Sequence, residues 1–594
     1  MKKSITILFL SFLYFLGFSQ NPIWDTYYEK SGCTETPRYD ETIKYCKQLV
    51  DYSPLIHYDI FGKSPQGRDI PALIIDKNKN FTPETVRNSG NAVVLIQACV
   101  HPGEPDGKDA GLMLIRDLVI NNKYPGLLDH LTILFIPIFN VDGHERFGPY
   151  NRINQDGPKE MGWRVTAQNL NLNRDYMKAD APEMKAWLKL FNRWLPDFTV
   201  DCHVTDGADY QYVLTYGLEL YGNMDAKLTA WTKDVYLQSV EKKMEEAKLP
   251  MFPYVSFREW HDPRSGLVVN VAPPMLCGGY CAIQNRPCLL IETHMLKDYK
   301  TRVEATYELL KQTALLLNKE YKSLIKLTKE ADRNTVSETF RNKYFPVAFR
   351  ESFADSTQVS FKGVQYEAVK SDLSGGLWFQ YDKTKPETFM ITMFNHPVVE
   401  DSVLLPAAYI LPPEWISIIE LLGIHSIDYK ILKAPTKIKI TAYRFKNPKW
   451  SEKPYESRHR LEVNYDATEE ERMFPAGSVV VKTDQRSAKV IAHFFEPKAF
   501  DSFISWGFMD AIFEQKEYGE TYVLEVLARK MLAENLDLKN EFEEKMKNEP
   551  EFAKDSWGIL NWFYSKSPYW DRAVNKYPVG KIVSSEVLQS LPVE

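Results

Sequence analysis

The chain has 594 residues, of which 26% are charged and 44% hydrophobic, with a net charge of -6. That length exceeds what one hydrophobic core organises and predicts about two to four domains. The composition excludes a disordered or fibrous chain, and the mild negative charge gives no basis for nucleic acid or an anionic membrane surface as partner.

At the N-terminus, Lys2 and Lys3 precede the apolar run Ile5 to Phe18, and Gly17 and Ser19 place small residues just ahead of Gln20. This is the layout of a secretory signal peptide, residues 1–19. About 14 apolar residues fall short of the roughly 20 that span a bilayer, and no later stretch is a candidate span. Seven cysteines do not make a disulfide scaffold in so long a chain. Cys33 and Cys46 are candidates for a bridge, and an odd count leaves at least one thiol free. Cys277, Cys281 and Cys288 match no zinc-binding spacing and are assigned to core packing.

A helical pattern around Thr42 to Val50 leads into the first domain. Arg68 to Asp76 and Asn91 to Val100 read as strands, the second nearly unbroken in its apolar character, as in a sheet covered on both faces. Ala110, Met113, Leu114 and Leu118 form a helix stripe within Gly107 to Asn121. Leu131 to Phe139 is another buried strand, closed by the turn signal Asn140-Val141-Asp142-Gly143. Asp180 has the form of an N-cap for a helix running from Pro182 to about Trp194. Asp197 to Val204 and Pro287 to Glu292 read as two more strands, and Arg302 to Asp332 as a long helix.

Strands separated by helices predict an α/β domain over residues 20–333 with a mixed, largely parallel sheet. Residues 334–594 form a C-terminal accessory region of mixed strands and helices. Its strand-like runs are Gln358 to Glu367, Phe389 to Phe394, Ile438 to Tyr443 and Ser478 to Val481. Helices are expected near Trp415 to Gly423 and over Glu541 to Trp570. Trp378, Trp450, Trp562 and Trp570 are read as core rather than as a ligand groove.

In such sheets ligands gather at the carboxyl ends of strands. There the stretch Cys99-Val100-His101-Pro102-Gly103-Glu104 offers an imidazole and a carboxylate to one point after the strand from Val93. His203 and Glu292 end two further strands. Zinc takes such nitrogen and oxygen donors, and a catalytic site has three protein ligands with one position for water.

Taken in order, His101-Pro-Gly-Glu104, the Asn140-Val-Asp-Gly143 turn, Gly162-Trp163-Arg164, Asn171-Leu-Asn173-Arg174, His203 and Glu292 resemble the zinc metallocarboxypeptidases of the carboxypeptidase A type. The resemblance covers residues 40 to 325 and is to an exported bacterial member carrying an extra C-terminal region. It implies one zinc ion on His101, Glu104 and His203, Glu292 as general base, and Arg164 as the donor to the oxyanion. Asn173 and Arg174 would grip the terminal carboxylate of a peptide, for which the planar guanidinium fork is suited. The family's mobile tyrosine has no clean counterpart; Tyr280, in Gly278-Gly279-Tyr280, is nearest. His294 and Lys297 have no assigned role.

The expected function is hydrolysis of C-terminal peptide bonds by an exported enzyme, periplasmic or secreted. Two alternatives stand beside it: a peptidoglycan-stem peptidase or amidase on the same centre, and a non-catalytic peptide-binding module. Substrate preference and oligomeric state are not set by the sequence.

Overall fold

The computed structural model describes residues 22–594; the expected leader, residues 1–19, lies outside the described residues. The first half supplies nine strands: β1 (Ile56–Lys63), β2 (Asp69–Ile75), β3 (Ala92–Gln97), β4 (Leu131–Ile136), β5 (Phe198–Thr205), β6 (Leu214–Gly217), β7 (Met251–Pro253), β8 (Leu267–Val268) and β9 (Cys288–His294). Eight of them form one sheet in the order β1-β2-β4-β3-β5-β9-β6-β7.

The central strands β4, β3, β5 and β9 run parallel. β1 and β2 extend one side antiparallel, and β6 joins β9 antiparallel on the other. Every residue of β3, β4 and β5 is buried, the consequence of helices on both faces. This is the expected α/β fold with a mixed, largely parallel sheet.

Helix Asp106–Val119 follows β3, and the 38-residue helix Tyr299–Val336 packs along it. The long helix begins three residues before its expected start because Asp298 caps it, its side chain accepting from the Thr301 amide at 3.0 Å. A different outcome holds at helix Pro182–Trp194. Its N-cap is Ala181, without a side-chain cap, rather than Asp180. The Asp180 carboxylate is instead taken by the Arg458 guanidinium, with bonds of 2.7 and 2.9 Å, a charged two-point contact that outcompetes a single capping bond.

Beyond Val336 the chain forms a six-stranded sheet and a long hairpin, Thr357–Lys370 with Leu377–Phe394. The hairpin's last residues, Met393 and Phe394, pair with β8. The tail holds three helices rather than one: Thr521–Glu534, Leu536–Asn548 and Ser556–Lys566. Sequence periodicity missed the first and merged the other two across Pro550.

One hydrophobic core includes Leu95 and Val200 of the sheet together with Tyr409, Phe494 and Phe503 of the second half, so the two halves are packed as one body. Of the four tryptophans, Trp562 packs among Phe542 and Phe563 and Trp570 against Tyr564. Trp378 and Trp450 are exposed instead. All seven cysteines, Cys33 and Cys46 included, are free thiols. Among the described residues no helix is long and apolar enough to cross a membrane.

Candidate metal centre

β3 ends at Gln97, and the loop after it delivers His101 and Glu104 to the carboxyl edge of the sheet, beside His203 near the end of β5. The three side chains are buried and face one point. His101 Nδ1 lies 3.2 Å from His203 Nδ1 and 3.2 Å from Glu104 Oε1, and His203 Nδ1 lies 3.0 Å from Glu104 Oε2. Donors on a tetrahedral zinc with bonds of 2.0–2.1 Å stand about 3.3 Å apart. The triangle therefore fits that ion without rearrangement.

The outer partners fix which nitrogen is free. His101 Nε2 is 3.0 Å from Asn171 Oδ1, and His203 Nε2 is 3.1 Å from Asp201 Oδ2. Each oxygen calls for a proton on Nε2, which leaves a lone pair on each Nδ1. Asp201 is itself held by the Gln97 amide at 2.9 Å, and Gln97 in turn by the Trp187 indole at 2.7 Å. Buried hydrogen bonds thus run from helix Pro182–Trp194 through Gln97 to Asp201, whose other oxygen lies in charged contact with His203.

Burial presses the His101 pKa down to about 4, keeping it the neutral donor a metal requires. It works to raise Glu104, but His101 and Arg152 outweigh it and hold that carboxyl well below the usual range. For His203 burial again disfavours charge, yet Asp201 and Glu104 push its pKa well above the usual value. Two buried carboxylates therefore demand positive charge at this point, which a divalent cation supplies.

Glu292 sits opposite His203 in the β5–β9 register, so both point to the same face of the sheet. Burial, reinforced by Glu104 and Asp201 against the pull of His203, pushes its pKa up to about 8. Around the centre opens a cleft of about 740 Å³, lined by Arg152, Arg164, Asn173, Arg174, Tyr254 and Glu292 among others. Arg164 reaches to 3.4 Å from Glu104 Oε1. Asn173 Oδ1 is buried without a hydrogen-bond partner.

Tyr280 is not brought to this cleft. It is fully buried, its hydroxyl 2.9 Å from His425 Nδ1 and bonded by the Gln284 amide at 3.0 Å. Packing against Trp187 and Phe191 makes it a core residue. The tyrosines that line the cleft are Tyr216, Tyr221 and Tyr254, the last just after β7. His294 and Lys297 are structural: the imidazole lies against Tyr210, and Lys297 bonds Asp209 at 3.1 Å.

Of the cleft residues that escaped the sequence reading, two bear most on the site. Arg152 Nη2 lies 2.9 Å from Glu104 Oε1, and its stem fills the space that a Cβ at Gly103 would occupy, 2.7 Å from Arg152 Cγ. Tyr254 is the other. Both lie on irregular segments, where no periodicity marks a functional position.

Residues 42–206 match the family profile described as zinc carboxypeptidase, so this segment is similar to the zinc metallocarboxypeptidases, a family of hydrolases. The matched segment contains His101, Glu104 and His203. Among relatives, the chain is 24% identical over 499 residues to carboxypeptidase 2 of Trichophyton rubrum, covering 80% of this chain and 85% of that one. It is 23% identical over 504 residues to carboxypeptidase 2 of Trichophyton equinum, with the same coverage of 80% and 85%. Of solved structures, carboxypeptidase A from Helicoverpa armigera superposes with a TM-score of 0.37 at 17% identity, covering 49% of this chain and 75% of that chain.

Proposed function

We propose that the protein removes C-terminal residues from peptides by zinc-dependent hydrolysis, with His101, Glu104 and His203 as the ligands. The observation that most supports this is the donor triangle with Glu292 in the same row of the sheet and Arg174 in the same cleft. Zinc bound there supplies a Lewis acid that acidifies water and polarises the scissile carbonyl.

The side chains have separate tasks. Glu292 takes the proton from the attacking water and returns it to the leaving amine. Its raised pKa makes the carboxylate a stronger base for the first step. Arg164 meets the oxyanion as charge develops. Asn173 and Arg174 hold the terminal carboxylate, so that the last peptide bond lies over the centre. Tyr254, from the opposite wall, is placed to close over the bound end. The basic N-terminus and short apolar run before Gln20 support export to the periplasm or the medium. Residues 20–333 carry the catalytic machinery, and residues 334–594 buttress it.

Glu292→Gln is expected to keep zinc and lose about 10²- to 10⁴-fold in peptide trimming; undiminished turnover would remove Glu292 from the mechanism. Peptides ending in an amide are expected to be poor substrates. If the amide is cut as fast as the free acid, the carboxylate grip of Arg174 is wrong. Mixed peptide and muropeptide pools, read by mass spectrometry, identify which class is shortened.

A further inference from the structure

Cys277 and Cys281 are four residues apart on the short helix Cys277–Ile283, and so share one face. That face meets Cys288 at the start of β9. The three sulfurs all lie within 4.8 Å of one another, and Cys277 Sγ is 3.8 Å from Cys288 Sγ. The spacing along the chain concealed this, because the helix and the strand are joined by a turn whose length matches no familiar metal motif.

We propose that Cys277, Cys281 and Cys288 form a second metal site, a three-thiolate seat for a soft d¹⁰ cation, copper(I). Three thiolates selecting such an ion is the expected match of soft donor to soft acceptor. With metal–sulfur bonds of about 2.3 Å, three sulfurs around one ion stand about 3.8–4.0 Å apart. One observed edge already has that length, and the others need to close by less than about 1 Å.

Three features distinguish the cluster from ordinary buried thiols. Cys277 and Cys288 line the floor of the catalytic cleft, which gives an ion a way in. The Gln97 amide donates toward Cys277 Sγ at 3.5 Å, a bond that a metal-bound sulfur can accept. The Thr199 hydroxyl, whose neighbour in the β5–β9 register is Cys288, is buried with no hydrogen-bond partner of its own. The seat uses none of His101, Glu104 or His203, so it stands or falls apart from the zinc reading.

The test is an anaerobic titration of the zinc-loaded protein with copper(I) against a competing chromogenic chelator. One copper(I) per chain is expected, with an ultraviolet thiolate-to-metal charge-transfer band. Cys281→Ala and Cys288→Ala are expected to lose the band and the copper while keeping one zinc. His203→Ala is expected to lose zinc and keep copper. Should either cysteine variant fold poorly, the band and the copper stoichiometry of the wild-type protein still decide the matter. No copper uptake by the wild-type protein, equal uptake by the cysteine variants, a second zinc at this seat in preference to copper, or Cys277 and Cys288 found joined as a disulfide would each overturn the proposal.

Discussion

Asp201 stands behind the proposed metal centre, between His203 and Gln97. Its carboxylate lies 3.1 Å from His203 Nε2, and its own orientation depends on Gln97. Outer partners of this kind typically contribute about 10–100-fold to metal affinity. Asp201→Ala is therefore expected to weaken zinc binding by about that factor, measured by competition with a metallochromic chelator, with the sheet unchanged by circular dichroism. That His101, Glu104 and His203 meet was legible in the sequence because each ends or follows an apolar strand. Asp201 was not singled out, although its spacing of two from His203 puts both side chains on one face. Tyr280 misled for the opposite reason: a glycine pair suggests a loop, but Leu276 opens a helix there whose aromatic side chain is drawn into the core.

At the scale of elements, buried strands and long helices followed directly from apolar runs and the 3.6-residue period, while caps and irregular segments depended on partners far away in sequence. Helix Pro182–Trp194 is the clearest case, since its first turn was read as acid-capped. Glu183 is indeed there, but it is fully buried, and neither carboxylate oxygen has a partner. Burial, with Asp142 and Asp175 adding to it, raises its pKa to about 7. Because the folded state holds this proton more tightly than the unfolded one, stability is highest below the unfolded value. It is lost as pH rises from about 4.5 to about 7, where the loss levels off. A shift of this size costs up to about 3 kcal/mol once complete. Glu183→Gln is expected to be the more stable protein at pH 8 and to show a flatter profile across that window in urea unfolding. An unchanged profile would mean that the carboxyl finds water the structure does not show.

For the molecule as a whole, the C-terminal half reaches the cleft of the first through Asn171 and Arg174. Tyr455 to Arg458 close on themselves through the bonds Tyr455 N to Arg458 O at 2.8 Å and Arg458 N to Tyr455 O at 3.2 Å. The central residues Glu456 and Ser457 have φ of 49° and 68°, the left-handed pair that a two-residue hairpin turn requires and that glycine or asparagine normally supplies. Non-glycine residues there cost about 1–2 kcal/mol each, a strain that persists only where the surroundings fix it. The surroundings are the proposed carboxylate clamp. Glu456 accepts from the Asn171 amide at 2.9 Å, Tyr455 accepts from Arg174 Nε at 3.0 Å, and Arg458 holds Asp180. No local sequence signal predicts this, because the partners lie nearly 300 positions apart. If the turn is strained in order to place Asn171 and Arg174, relieving the strain and losing the contact separate in one variant. Glu456→Gly is expected to leave folding stability unchanged within about 1 kcal/mol, the eased backbone offsetting the lost bond. It is expected to raise KM for peptide about fivefold, the worth of one net hydrogen bond, with kcat less affected. A fall in stability with KM unmoved would make the turn a fastening between the two halves rather than part of the substrate grip.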